Sequence, residues 1–310
     1  MRLDGLLIGQ VAMAALMNVA FAFAIGSAVL DAWLVKEGAS ATLAPSHAAW
    51  LRARRSRVAA AVVLVLADAG WLVYQTASMS GVGLPDAFGI VPTVLAQTHI
   101  GYAWSVAFGG AVLLLLSSLI GRGGAPGHAL FGLAVIVIAA GKASLGHAAD
   151  AGAVSAVEGI QTLHVLATSV WGGLVLAGGF TVLPALDSSI ARGVLMRVAG
   201  QVSKVSFIAL GFVVLTGAWN AWRGLGGALE PLATSGWGHV LTAKLSLVAL
   251  AVVLGGLNRF SALPRLRRTA STVDAHTFNN VLHLEALAMI GVFIAAAVLS
   301  HSVPGYVTPG

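Results

Sequence analysis

The sequence predicts an all-α polytopic membrane protein, and three observations carry that prediction. Of its 310 residues, 58% are hydrophobic and only 9% are charged. The mean hydropathy is +0.92, far above that of a soluble domain. Eight apolar segments of spanning length follow one another along the chain, near 6–35, 58–80, 92–120, 129–150, 156–186, 201–223, 235–259 and 278–302.

Each segment is justified by its own residues. The first, 6–35, reads as a permanent helix: Arg2 is balanced by Asp4, its apolar run is longer than a signal peptide's, and no small-residue cleavage site closes it. The basic residues set the orientation of the rest. Connections after the first, third, fifth and seventh segments hold Arg52, Arg54, Arg55 and Arg57, then Arg122, then Arg192 and Arg197, then Arg259, Arg265, Arg267 and Arg268. Those loops are expected in the cytoplasm. The alternate connections hold Asp86, Asp150, Glu158 and Glu230 with Arg223, and they are expected outside together with both termini. The net charge of +6 is thus an orientation signal, with no nucleic-acid partner implied.

The first four segments resemble the last four, so one membrane domain is expected as two four-helix halves, 1–152 and 153–310, inserted with the same orientation. Asn18–Leu30 aligns with His164–Leu176. Asp68–Trp71 (DAGW) aligns with Thr216–Trp219 (TGAW), Thr98–Ala103 with Gly238–Ala243, and Ala143–His147 with Ala297–His301.

Cysteine is absent, which excludes disulfides, thiolate metal sites and cysteine nucleophiles. No phosphate-binding loop or hydrolase triad is present, and ATP-driven pumping by this chain alone has no support. Histidine, methionine and carboxylates remain as metal ligands. Under the topology above, His99, His147, His164, His239 and His301 gather toward the outer face. His47, His128, His276 and His283 fall beside cytoplasmic loops. In 161–173 (QTLHVLATSVWGG), Gln161, His164, Thr168 and Trp171 share one helical face, and an ionisable group inside a span is expected to point into the bundle. A second stripe, Asp68, Trp71, Gln75 and Met79, runs up the second segment. Asp68, Lys142, Lys244 and Glu285 lie near mid-membrane, where they are expected either to pair with one another or to form a polar, proton-conducting pathway with Gln75. The metal set is therefore His99, His147, His164, His239, His301 and Met79, with His99 and His164 foremost. The same histidines would serve as haem ligands if b-type haem were the cofactor.

Three stretches carry a family resemblance: 164–173 (HVLATSVWGG), 241–260 (LTAKLSLVALAVVLGGLNRF) followed by 263–268 (LPRLRR), and 284–288 (LEALA) closing toward Pro304. Together they resemble the CopD family of copper resistance membrane proteins, most clearly from Glu158 onward. The resemblance implies copper handling in a bacterial inner membrane, with periplasmic copper taken toward the cytoplasm, often beside a CopC-type periplasmic copper protein. No CopC-like β domain is fused here, so that partner would be separate. Asn18 stands where the repeat would put a histidine, which makes a ligand set asymmetric. Two functions are carried forward: a copper-binding transport protein, which is no enzyme, and a haem b electron carrier acting as an oxidoreductase toward a periplasmic metal or quinone.

Overall fold

The computed structural model describes residues 5–120, 124–146 and 155–307. These residues contain no strand, and eight helices are long and apolar enough to cross a membrane. In chain order, α1 is Gly5–Lys36, α2 is His47–Ser80, α3 is Leu84–Gln97, α4 is His99–Ile120 and α5 is Ala125–Ser144. Helix α6, Ala156–Ala177, runs on through a π turn at Gly178–Val182 and a 3-10 turn at Leu183–Leu186. Then come α7 (Arg192–Gly224), the short α8 (Glu230–Thr234) and α9 (Gly236–Leu257). A π turn at Asn258–Ala262 joins α9 to α10 (Leu263–Thr269), and α11 is Thr272–Ser300.

The expected third segment, 92–120, divides into α3 and α4. Thr98 adopts an extended conformation between them, and its hydroxyl accepts from the Gly101 N–H at 2.9 Å while donating to the Val94 carbonyl at 2.7 Å. Thr98 therefore caps the start of α4 and ends the helix before it. Helix α3 buries only Ala87 and Val94, so it lies at the edge of the bundle, outside its core.

The helices also extend further at the basic end than hydropathy suggested. Helix α2 begins at His47, and its first turns carry Arg52, Arg54, Arg55 and Arg57. Helix α7 likewise begins at Arg192. Arginine is a good helix former whose alkyl stem can lie along an apolar surface, so a charged stretch continues the helix. These residues also bind the bundle together. Arg57 pairs with Asp31 of α1 at 2.9 Å and reaches the Ser118 carbonyl of α4 at 3.4 Å. Arg197 pairs with Glu37 at 2.6 Å, and Arg192 with Asp187 at 3.2 Å. Arg122 and Asp150 lie outside the described residues.

Helices α1 and α6 occupy the centre, with 56% and 67% of their most apolar windows buried, against 11% for α9. They approach closely because Gly26 and Gly173 face each other: a Cβ on either would strike the other helix's backbone. Around this pair, α1 packs on α2 as α6 packs on α7, and α4 packs on α5 as α9 packs on α11. Across the centre, α1 meets α11 and α5 meets α6. The arrangement departs from this regularity in one place: α2 packs along α4, but no comparable packing joins α7 to α9.

Gly173→Leu is expected to destabilise the fold by about 3 kcal/mol through overpacking against α1. Gly159→Leu, whose Cβ meets nothing within 4 Å on the same helix, is expected to leave stability unchanged. Thermal unfolding in detergent followed by circular dichroism reads the difference; equal melting of the two variants would show that the α1–α6 contact is dispensable.

Candidate functional site

The polar face of α6 is satisfied by α7. Ser155 caps α6 by accepting from the Glu158 N–H at 3.2 Å, and the helix then presents Gln161, His164, Thr168 and Trp171 in register. The Gln161 side-chain carbonyl accepts from the Asn220 amide at 2.8 Å. One turn deeper, the His164 Nδ1 lies 3.0 Å from the Thr216 hydroxyl. That hydroxyl has a single proton, which it donates to the Phe212 carbonyl at 2.6 Å. It must therefore accept at His164, so Nδ1 carries the ring proton and Nε2 keeps its lone pair. Nε2 makes no hydrogen bond among the described residues. Gly217 gives the ring room on α7: a Cβ there would lie 3.2 Å from Cε1. Lys244 of α9 is the charged group whose field reaches the imidazole.

Below His164 the stripe continues inward. The Thr168 hydroxyl is buried without a partner. The Trp171 indole, 3% exposed, approaches the carboxylate of Glu285 on α11, itself 4% exposed. Glu285 lies against Gly255 of α9, where a Cβ would come within 3.0 Å of Oε1, so only glycine leaves the carboxylate in place. This level opens into a cavity of about 130 Å³ in the seam between α7 and α9, bounded by Trp171, Ser206, Phe207, Asn258, Arg259 and Glu285. The Asn258 amide donates to the Phe278 carbonyl at 3.3 Å and accepts from the Leu282 N–H at 3.1 Å. Arg259 donates to the Ser203 carbonyl at 3.1 Å and hydroxyl at 2.9 Å, with its guanidinium over the Phe207 ring.

The remaining histidines are placed differently. His301 is committed at both nitrogens: Nδ1 lies 2.8 Å from the Ala297 carbonyl and must donate to it, so Nε2 accepts from the Trp71 indole at 3.2 Å. His239 is exposed, with Nε2 3.0 Å from the Ala233 carbonyl. His99 is exposed at the first turn of α4, and Met79 is 46% exposed near the end of α2. His147 lies outside the described residues. Among the described residues, no three histidines or carboxylates come together as a metal-binding group. On the opposite side, His47 reaches the Ala39 carbonyl at 3.0 Å and His276 pairs with Asp187 at 2.6 Å.

The four mid-membrane charges do not pair with one another as expected. Asp68 is 1% exposed and its Oδ1 has no hydrogen-bond partner; Lys142 acts on it electrostatically without forming an ion pair. No ion pair joins Lys244 to Glu285. The four groups sit on four different helices, α2, α5, α9 and α11, and although α9 packs on α11 their side chains do not meet. Gln75 is held by the side-chain amide of Gln10 on α1. Gln10, Thr216 and Asn220 belong to the site although sequence reasoning passed over them. A glutamine within an apolar span, and a threonine aligned with Asp68 in the internal repeat, were the available signals.

A b-type haem held by two of these histidines finds no support in the donor set. It needs two free imidazole nitrogens on facing helices; His301 has neither free and the Nε2 of His239 is engaged, and the free Nε2 of His164 has no second described histidine gathered with it.

Two family models match the chain. Copper resistance protein D matches residues 196–299, and the copper resistance protein D-like N-terminal domain matches residues 3–157. No curated protein and no solved structure matches it. The N-terminal match covers α1 to α5 and the first two residues of α6, and the other covers most of α7 to α11; residues 158–195, which include the rest of α6, lie between the two. The chain belongs to the CopD family and is a copper resistance membrane protein.

Proposed function

We propose that this chain binds copper inside the bundle and moves it from the periplasm toward the cytoplasm across a bacterial inner membrane. The observation that supports this reading best is His164: a neutral imidazole on a spanning helix, with Nδ1 anchored by Thr216 and Nε2 left as a free donor. A ring oriented from its far nitrogen is the arrangement that metal-ligating histidines favour. His99, His239 and Met79, exposed toward the same end of the bundle, are suited to capturing an arriving ion. The clustering of arginines at the other end supports a topology with that end in the cytoplasm and both termini outside. Delivery falls to a separate CopC-type periplasmic copper protein.

From His164 the ion passes the buried acids. Asp68 lies on the α2 side with Gln75 and Lys142. Glu285 lies on the α11 side below Trp171, with Lys244 above it. A copper cation in a low-dielectric interior needs negative charge close by, and unpaired carboxylates supply it. Two four-helix halves, 1–152 and 153–310, frame this route.

His164→Ala is expected to reduce copper uptake into proteoliposomes to the protein-free background. Uptake at the unaltered rate would remove His164 from the route. Thr216→Val, which takes away the acceptor for Nδ1–H, should weaken copper binding by about tenfold or more, whereas Thr216→Ser should retain it. Competition against a chromogenic copper chelator measures both. Asp68→Asn and Glu285→Gln should each slow uptake while leaving copper binding at His164 intact. Normal uptake in both would assign these acids a structural role, and a Soret band in the purified chain would favour the haem carrier instead.

A further inference from the structure

The seam between α7 and α9 is open sideways, toward the region that lipid chains occupy. Its walls are mostly apolar and aromatic: Phe207 on α7, Phe260 in the π turn after α9, Phe278 on α11 and Trp171 on α6. A seam of this kind filled only by an acyl chain would need no polar groups. This one has several. Glu285 stands at its inner end, 4% exposed, with the Trp171 indole beside it and no cation partner among the described residues. The Ser206 hydroxyl on the α7 wall is buried without a hydrogen bond. Arg259 and Ser203 stand together at the end nearer the basic face. An unsatisfied hydroxyl at Ser206 and a buried carboxylate without a cation are costly in a membrane interior, so a cleft that keeps both points to a ligand that meets them.

We propose that this cleft binds a membrane-dissolved quinone or quinol. The occupant must reach the site through the bilayer, which calls for an apolar tail. It must fit between aromatic side chains, which calls for a flat ring. It must also meet polar groups at opposite ends of the cavity, which calls for oxygens on both sides of that ring. A quinol hydroxyl donates to the Glu285 carboxylate, and a quinone carbonyl accepts from Ser206 or from the protonated acid. The cavity of about 130 Å³ suits a ring inserted from the side, with its tail left among lipid chains. At the corresponding place among the first helices, α2 packs along α4.

Gly256 gives a direct test, because a Cβ there meets nothing within 4 Å and a larger side chain enters the cleft without a clash. The purified full-length chain in detergent, free of copper, is titrated with a decyl-substituted benzoquinone while tryptophan fluorescence is followed. Saturable quenching is expected, and it should largely vanish in Trp171→Phe. Gly256→Phe should abolish saturable binding while circular dichroism and gel filtration remain unchanged. Glu285→Leu should weaken binding by about tenfold, the value of one buried hydrogen bond between the acid and a quinone carbonyl. Decylbenzene, with the same tail and ring but no oxygens, should compete poorly. Equal binding of decylbenzene would show that the cleft takes any lipid chain and would overturn the proposal, as would undiminished quinone binding in Gly256→Phe or Glu285→Leu. Since no copper is present, none of these outcomes bears on the copper route.

Discussion

The close approach of α1 and α6 through Gly26 and Gly173 is the constraint on which the remaining structure depends. With backbone against backbone at the centre, each of these helices has one side closed by the other. The polar stripe of α6 lies away from that contact and falls against α7, where Thr216 and Asn220 receive it. A side chain at either glycine would push the central pair apart and change the facing of His164. Packing between small residues takes the role that hydrophobic burial plays in water, because lipid is as apolar as the helices themselves.

Around that centre, polar groups inside the bundle are dealt with in two distinct ways. Some are paired across helices: Gln10 with Gln75, Gln161 with Asn220, Ser144 with Glu158 at 2.8 Å, Trp71 with His301. These contacts hold helices in register, and their members have little left to offer a ligand. Others remain open, among them the Nε2 of His164, the Thr168 and Ser206 hydroxyls and Oδ1 of Asp68, while Glu285 has the Trp171 indole beside it but no cation. In a medium without water an open group is a cost, and an open imidazole nitrogen and an open carboxylate oxygen inside the bundle separate a handling protein from a passive one.

The packing of the helices gives this contrast a physical basis. Helix α1 packs on α2 as α6 packs on α7, yet α2 also packs along α4 while the seam between α7 and α9 is open. The π turn at Asn258–Ala262 contributes to the opening. It shifts the register of the helix by one residue, turns Asn258 into α11 and leaves Arg259 reaching across to Ser203 on α7. The two helices are thus bridged at the basic end and separated above it.

Much of this was legible in the residues alone. Eight spans, the all-α class and the copper resistance family follow from apolar length and from the strings around His164, Lys244 and Glu285, because a bilayer imposes its thickness on any chain that crosses it. The inward facing of Gln161, His164 and Trp171 was equally readable, since helical spacing fixes which residues share a side. Spacing along one helix carries no information about distance to another. For that reason only the tertiary structure could decide that His301 is bound to Trp71, that the four buried charges stand apart, and that Thr216 holds the proton of His164 in place. Sequence determined which groups enter the membrane; the packing of helices against one another decided which of them are left free to bind.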